Sequence, residues 1–249
     1  MKRLRKIGEA DVIAEFLRNE FYQEDFHYDR EKYEKIVLEP NVDDQLENAV
    51  RRALLFRRRG HMWRELPADT DWWIVQLEPE DVARIRVFPR AQWRKIAAGS
   101  YRLDTIVQRI RSNHFSNGVR RFISKIQSLS YRLRRENDNS SVLLIGIDES
   151  RPLTILEGNH RVVAALLAST DVLLSQFRVL CGFSPRMNES CWYDTNLSTL
   201  WRYFKHRLRH VVDREADVEL VLAAAEAQAA EIQERAGRVL STNNALRWR

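Results

Sequence analysis

The stretch Pro152-Leu-Thr-Ile-Leu-Glu-Gly-Asn-His-Arg-Val-Val-Ala-Ala-Leu-Leu167 decides how this chain folds. Leu153 to Leu156 reads as a short apolar strand, Glu157-Gly158-Asn159 as a tight turn, and His160-Arg161 as the opening of a helix that continues through Val162, Val163, Ala164, Ala165, Leu166 and Leu167. Apolar flanks predict that both elements are buried, which leaves the polar cluster Glu157 to Arg161 where backbone and side chains meet solvent. A strand that ends in Gly and a helix that begins with polar residues offer free backbone N–H groups beside a positive helix terminus, a geometry that binds phosphate. His160 and Arg161 add side-chain donors. Glu157 adds a carboxylate that can hold a metal ion or take a proton.

The surrounding order of elements extends this reading. Ser141-Val-Leu-Leu-Ile-Gly-Ile147 is an apolar β-type run, and Asp148-Glu-Ser-Arg-Pro152 is a turn-rich break, so 141–147 and 153–156 should form a hairpin. Phe177-Arg-Val-Leu-Cys-Gly-Phe183 is a further strand candidate after the helix. Upstream, Asp71-Trp-Trp-Ile-Val-Gln-Leu77 reads as a strand leading into Glu78-Pro-Glu-Asp-Val82, where the early Pro marks a short helix.

Glu157-Gly-Asn-His-Arg161 followed by a helix of small residues resembles the signature of the ParB/sulfiredoxin-like superfamily, over about residues 71 to 184. Its members include CTP-hydrolysing chromosome-partition proteins, ATP-dependent sulfiredoxins and free serine kinases, which grip nucleotide phosphates at a helix start. The kinase-like motif is the most similar: Glu157 stands at its acidic position, Gly158 at its glycine and His160-Arg161 at its His-Arg pair, while Asn159 replaces its first His. Asn159 also stands where the sulfiredoxin motif has a catalytic Cys. The resemblance implies an α+β fold with a small mixed-sheet core (71–184), carrying a basic helical insert, between helical extensions at 1–70 and 185–249. It further implies a nucleoside di- or triphosphate and Mg²⁺ at the turn, with phosphoryl transfer or nucleotide hydrolysis as the chemistry. Gly158, Asn159, His160 and Arg161 would then bind the nucleotide, Glu157 would hold Mg²⁺ or orient the nucleophile, and Glu78 (or Glu80) is a candidate base beside Glu157 and His160.

Charge is unevenly spread. The whole chain is +6, but Arg84 to Arg135 holds fourteen Lys or Arg and one acid, Asp104, so that segment is +13 and the remainder −7. Ile106, Ile110, Val119, Phe122, Ile123, Ile126 and Leu129 place its arginines on the wet face of amphipathic helices joined by a loop at Ser112 to Gly118. Such a face can attract nucleic acid, with Arg120, Arg121 and Arg134 as candidate contacts, or can pair with the acidic remainder of the chain. The first outcome supports a competing function: a non-catalytic nucleic-acid-binding or regulatory protein on the same fold. A third is a structural protein assembling through its terminal helices, with a homodimer as the expected form.

No apolar run is long enough to span a bilayer and no signal-type core follows Met1 to Lys6, so no membrane partner is expected. The two cysteines, Cys181 and Cys191, are too few for a disulfide framework or a cysteine zinc site, which suits a reduced, cytoplasmic setting. Outside the core, helices are expected from Glu9 to Phe21, Arg30 to Val37, Asp43 to Arg58, Asn196 to Val212 and Asp217 to Val239.

Three other clusters have chemistry to weigh. His27 with Glu24, Asp25 and Asp29 reads as a solvated acidic loop, and His206 with His210 as a pair of surface histidines flanked by cation-repelling arginines. The segment Gly182 to Asp194 follows the last core strand. There Arg186 can meet a phosphate and Trp192 or Tyr193 can stack on a base, or the aromatics can anchor the next helix.

Overall fold

The computed structural model describes residues 1–89, 91–112, 115, 117–210, 217–225 and 227. Arg90, Asn113, His114 and Ser116 of the loop expected over Ser112 to Gly118, and most of the helix expected over Asp217 to Val239, lie outside the described residues. A six-stranded mixed sheet has the order β1-β2-β6-β4-β5-β3, from β1 (Lys2–Ile7), β2 (Asp71–Gln76), β3 (Ile85–Val87), β4 (Ser141–Gly146), β5 (Leu153–Glu157) and β6 (Arg178–Phe183). β4 and β5 form the expected antiparallel hairpin, while β4 with β6 and β5 with β3 run parallel. The α+β class expected from the sequence is the one observed.

Alternation along the central strands explains why helices cover both faces. Val142 and Leu144 of β4 enter one core and Leu143 and Ile145 the other, as the two-residue period of a strand requires. The first core is closed by α4 (Ala91–Ala97), α5 (Leu103–Ser112), α6 (Asn117–Leu133), α7 (Asn159–Ala168) and α8 (Thr170–Gln176), with Ile96, Ile106, Ile110, Ile123, Ile126 and Val163 among the residues supplied. The second is closed by α1 (Glu9–Glu20), α2 (Arg30–Leu38) and α3 (Gln45–Trp63), through Phe16, Leu17, Val37, Leu54 and Trp63. The N-terminal segment is therefore half of the packing rather than an appendage, and it also supplies the edge strand β1.

Register fixes what lies at each end of the sheet. Leu143 pairs with Glu157 and Ser141 with Arg178, so the end of β5 and the starts of β4 and β6 share one edge. Phe183 pairs with Asp71 at the opposite edge. The C-terminal half of α1 lies over the first edge.

Candidate functional site

The turn between β5 and α7 is made by Gly158, whose φ of 97° lies in the left-handed region that suits glycine. A Cβ there would stand 3.1 Å from Val142 Cγ2, so a side chain would also have to push the Val142 methyl aside by a few tenths of an ångström. Val162 N donates to Gly158 O at 2.9 Å as the first bond of α7, and the helix has no side-chain cap. The N–H groups of its first turn therefore face the mouth of the site with no partner inside the helix. Among the described residues, the buried Asn159 Oδ1 finds no hydrogen-bond partner.

This mouth opens into a cleft of about 550 Å³. One wall is Glu157 to Arg161; the other is α1, through Glu15, Arg18 and Asn19, with Ser140 on the floor. The volume suits a ligand the size of a nucleotide.

Glu157 and Arg161, one helical turn apart, form an ion pair across the mouth, with both side chains largely buried. Asn19 binds both: its Nδ2 donates to Glu157 Oε2 at 3.1 Å and to the carbonyl of Ser141 at 2.8 Å, and its Oδ1 accepts from Arg161 Nη1 at 3.3 Å. Burial pushes the Glu157 carboxyl up to about 7, with a further push from the Glu20 carboxylate, although the Arg161 guanidinium pulls the other way. His160 is exposed at the rim and packs its ring on a Trp93–Phe122 pair, at centroid distances of 5.4 and 5.0 Å, so one side of the imidazole is desolvated. Burial holds its imidazole below the ordinary histidine range, and the charges of Lys125 and Arg161 add to that. A carboxyl that titrates near neutrality and a histidine biased to its neutral form, in one cleft, are the arrangement that acid–base chemistry uses.

The remaining candidates stand elsewhere. Glu78 caps the 3₁₀ turn Pro79–Arg84 and pairs with the Met1 amino group, as does Asp81 at 2.8 Å. Its strand is three positions from β5 in the sheet, roughly 14 Å at ordinary strand spacing. Glu80 is exposed on the same turn. Arg186 lies at the opposite sheet edge and grips Asp69 in a two-pronged pair at 3.1 and 3.0 Å. Glu157, Gly158, Asn159, His160 and Arg161 are brought together; Glu78 and Arg186 are not.

Arg161 is not an open phosphate clamp, since Glu157 and Asn19 already hold its guanidinium. That same pair makes a poor cation site. Oε2 of Glu157 is taken by both Arg161 and Asn19, and no group of three or more His, Cys, Asp or Glu converges among the described residues. Mg²⁺ thus finds no prepared ligand set at Glu157 among the described residues.

Of the other clusters, Trp192 is buried, donates from Nε1 to the Met62 carbonyl at 3.0 Å and packs on Phe88 and Tyr203, so it anchors the helix that follows. His206 corrects the surface reading: its Nδ1 lies 2.7 Å from Oε1 of the fully buried Glu65. His27 is exposed, and the side chains of Asp25, Asp29 and His210 lie outside the described residues. Sequence reasoning missed Asn19, Glu65 and the acidic helix face at Glu15. Nothing near them in the sequence marks them, because their partners are more than a hundred positions away.

The chain matches no protein-family model, no curated protein and no solved structure.

Proposed function

We propose that this protein binds a nucleotide in the cleft between α1 and the mouth of α7 and carries out phosphoryl transfer or hydrolysis there, as the resemblance of its motif to ParB/sulfiredoxin-like proteins implies. The observation that carries the reading is the largely buried Glu157–Arg161 pair at a glycine-made helix start whose first N–H groups have no side-chain cap. Anion binding at a helix N-terminus draws on backbone donors that cost no rearrangement. A phosphate entering the mouth competes with Glu157 for Arg161. Because the Glu157 carboxyl titrates at about 7, it can take a proton and release the guanidinium to the incoming anion. Glu157 and His160 are then the groups able to move a proton at the reacting oxygen. Catalysis of this kind depends mainly on positioning and on neutralising charge at the phosphate oxygens.

Calorimetric titration with ATP, ADP, CTP and GTP, each with and without Mg²⁺, tests the reading. Saturable binding of at least one nucleotide is expected, with a stoichiometry of about one per chain as the single mouth requires. Heats of dilution alone for all four would sink it.

A second reading is favoured by the face of α6. Arg120, Arg121, Lys125 and Arg132 are exposed there, with Arg135 exposed just past its end; among the described residues Arg132 alone of the five has carboxylates within ion-pair reach, at 4.0 Å from Glu136 and Asp138. This stripe suits a polyanion and supports a nucleic-acid-binding role alongside or instead of catalysis.

A further inference from the structure

Helix α9 (Leu197–His210) docks on the protein with its polar face inward and turns its apolar face to solvent. The inward side is held by ionic contacts and one tyrosine: His206 and Arg202 converge on the fully buried Glu65, Arg202 is also 3.1 Å from Glu189, Tyr203 packs on Trp192, and Thr199 is buried. A helix advances about 100° per residue, so Leu197, Trp201, Phe204 and Leu208 stand on the side opposite His206. They are 88 %, 60 %, 48 % and 55 % exposed, and Leu200 at their margin is 43 % exposed. Trp201 and Phe204 stack on each other at 5.8 Å, a continuous aromatic surface rather than scattered side chains. The patch covers on the order of several hundred Å², the scale that marks an interaction surface.

Charge narrows the partner. From Leu197 to His210 the helix holds Arg202, Lys205, Arg207 and Arg209 and no Asp or Glu. Lys205 and Arg207 are exposed and fall on opposite flanks of the apolar stripe, and Lys205 Nζ lies 5.6 Å from the Trp201 ring centroid. Stripe to stripe, two copies of α9 would bring cations together with no carboxylate on either helix to meet them. Bulky Leu, Trp and Phe flanked on both sides by Lys and Arg are instead what a helix lying in a lipid headgroup layer presents.

We infer that α9 is a peripheral docking element for an anionic lipid surface, with Trp201, Phe204, Leu197 and Leu208 entering the interface and Lys205 and Arg207 meeting headgroup phosphates. This differs from crossing a bilayer, for which no described helix is long and apolar enough. It also departs from the expectation, drawn from the absence of a long apolar run, that the protein has no membrane partner.

Flotation of the full chain with phosphatidylserine–phosphatidylcholine vesicles and with pure phosphatidylcholine vesicles tests the inference. The wild type should float with the anionic vesicles and stay behind with the neutral ones. Trp201→Glu with Phe204→Glu should weaken binding about tenfold or more at an unchanged thermal midpoint, because both side chains point away from the fold. Lys205→Glu with Arg207→Glu should weaken it to a similar degree. The inference is overturned if the wild type does not float, or if the Trp201/Phe204 variant floats as well as the wild type. A wild-type dimer that the same two substitutions dissociate, without vesicle binding, would make the stripe a contact between two copies and would also overturn it.

Discussion

Asn19 Oδ1 accepts a hydrogen bond from Arg161 Nη1 at 3.3 Å, joining residues 142 positions apart in the chain. Through its other side-chain atom the same residue holds Glu157 and the Ser141 carbonyl. The helix from the N-terminal region thus orients the motif, and the state of the motif is set by three groups rather than by the five-residue signature alone.

The ionisation of Glu157 predicts a pH-dependent stability. Its folded value of about 7 lies above its ordinary 4.5, so folding favours the protonated carboxyl. That stabilisation is complete below about pH 4.5 and is lost as pH rises through 7. A shift of this size corresponds to about 3 kcal/mol. Urea unfolding at pH 5 and pH 8 should show wild-type stability falling by about that amount relative to Glu157→Gln, which cannot titrate. An unchanged difference between the two proteins across that range would mean an unperturbed carboxyl.

Gly158 predicts a local strain effect. Gly158→Ala forces a side chain into the left-handed region and against Val142, and should destabilise the protein by about 1–2 kcal/mol. Gly118→Ala is the control: it sits on α6 with open space around it and should be neutral or stabilising by up to about 1 kcal/mol. Chemical denaturation curves of the two variants should diverge. Superimposable curves would argue against the turn.

The basic segment divides into two groups by what its arginines touch. Arg134 Nη2 donates to the carbonyls of Leu167 and Ala168 at 3.5 and 3.4 Å, and Arg111 reaches Leu166 and Leu167 at 3.3 and 3.4 Å, so both serve the negative end of α7. Arg134→Glu should therefore lower stability by about 1 kcal/mol. Arg120→Glu with Arg121→Glu should leave stability within about 0.5 kcal/mol. If the α6 face binds duplex DNA, that pair of reversals should also flatten a log-affinity against log-salt slope of roughly −0.9 per phosphate contacted. A stability loss from the Arg120/Arg121 pair as large as that from Arg134 would remove the distinction.

Much of the fold was legible because burial leaves a mark on sequence. β2, β4, β5, β6 and α7 are apolar runs closed by turn residues, and α5 and α6 keep a helical apolar period. β1 was not legible: Lys2-Arg-Leu-Arg-Lys-Ile7 is a charged edge strand of which only Ile7 is buried, a composition that protects an open sheet edge. β3 has three residues, Ile85-Arg-Val87, too few to show a period. In the candidate site, the turn and its residues could be read directly, because the chemistry is local. The capture of Arg161 by Glu157 could be suspected from their spacing of four, but the Asn19 clamp could not. The inward polar face of α9 was equally hidden, since its reason is a buried carboxylate, Glu65, far back in the chain.

The central claim, that the mouth of α7 is a nucleotide phosphate site, is tested most directly by the nucleotide affinity of Arg161→Ala beside the wild type at pH 6. At that pH Glu157 is protonated in most molecules, so losing its partner leaves a neutral carboxyl and the fold should survive. Calorimetry should show the wild type binding and the folded variant weakened by about 2 kcal/mol or more, the cost of a lost charge-assisted contact to phosphate. Equal affinity in a variant with native thermal unfolding would contradict the claim and leave Arg161 as the structural partner of Glu157 alone.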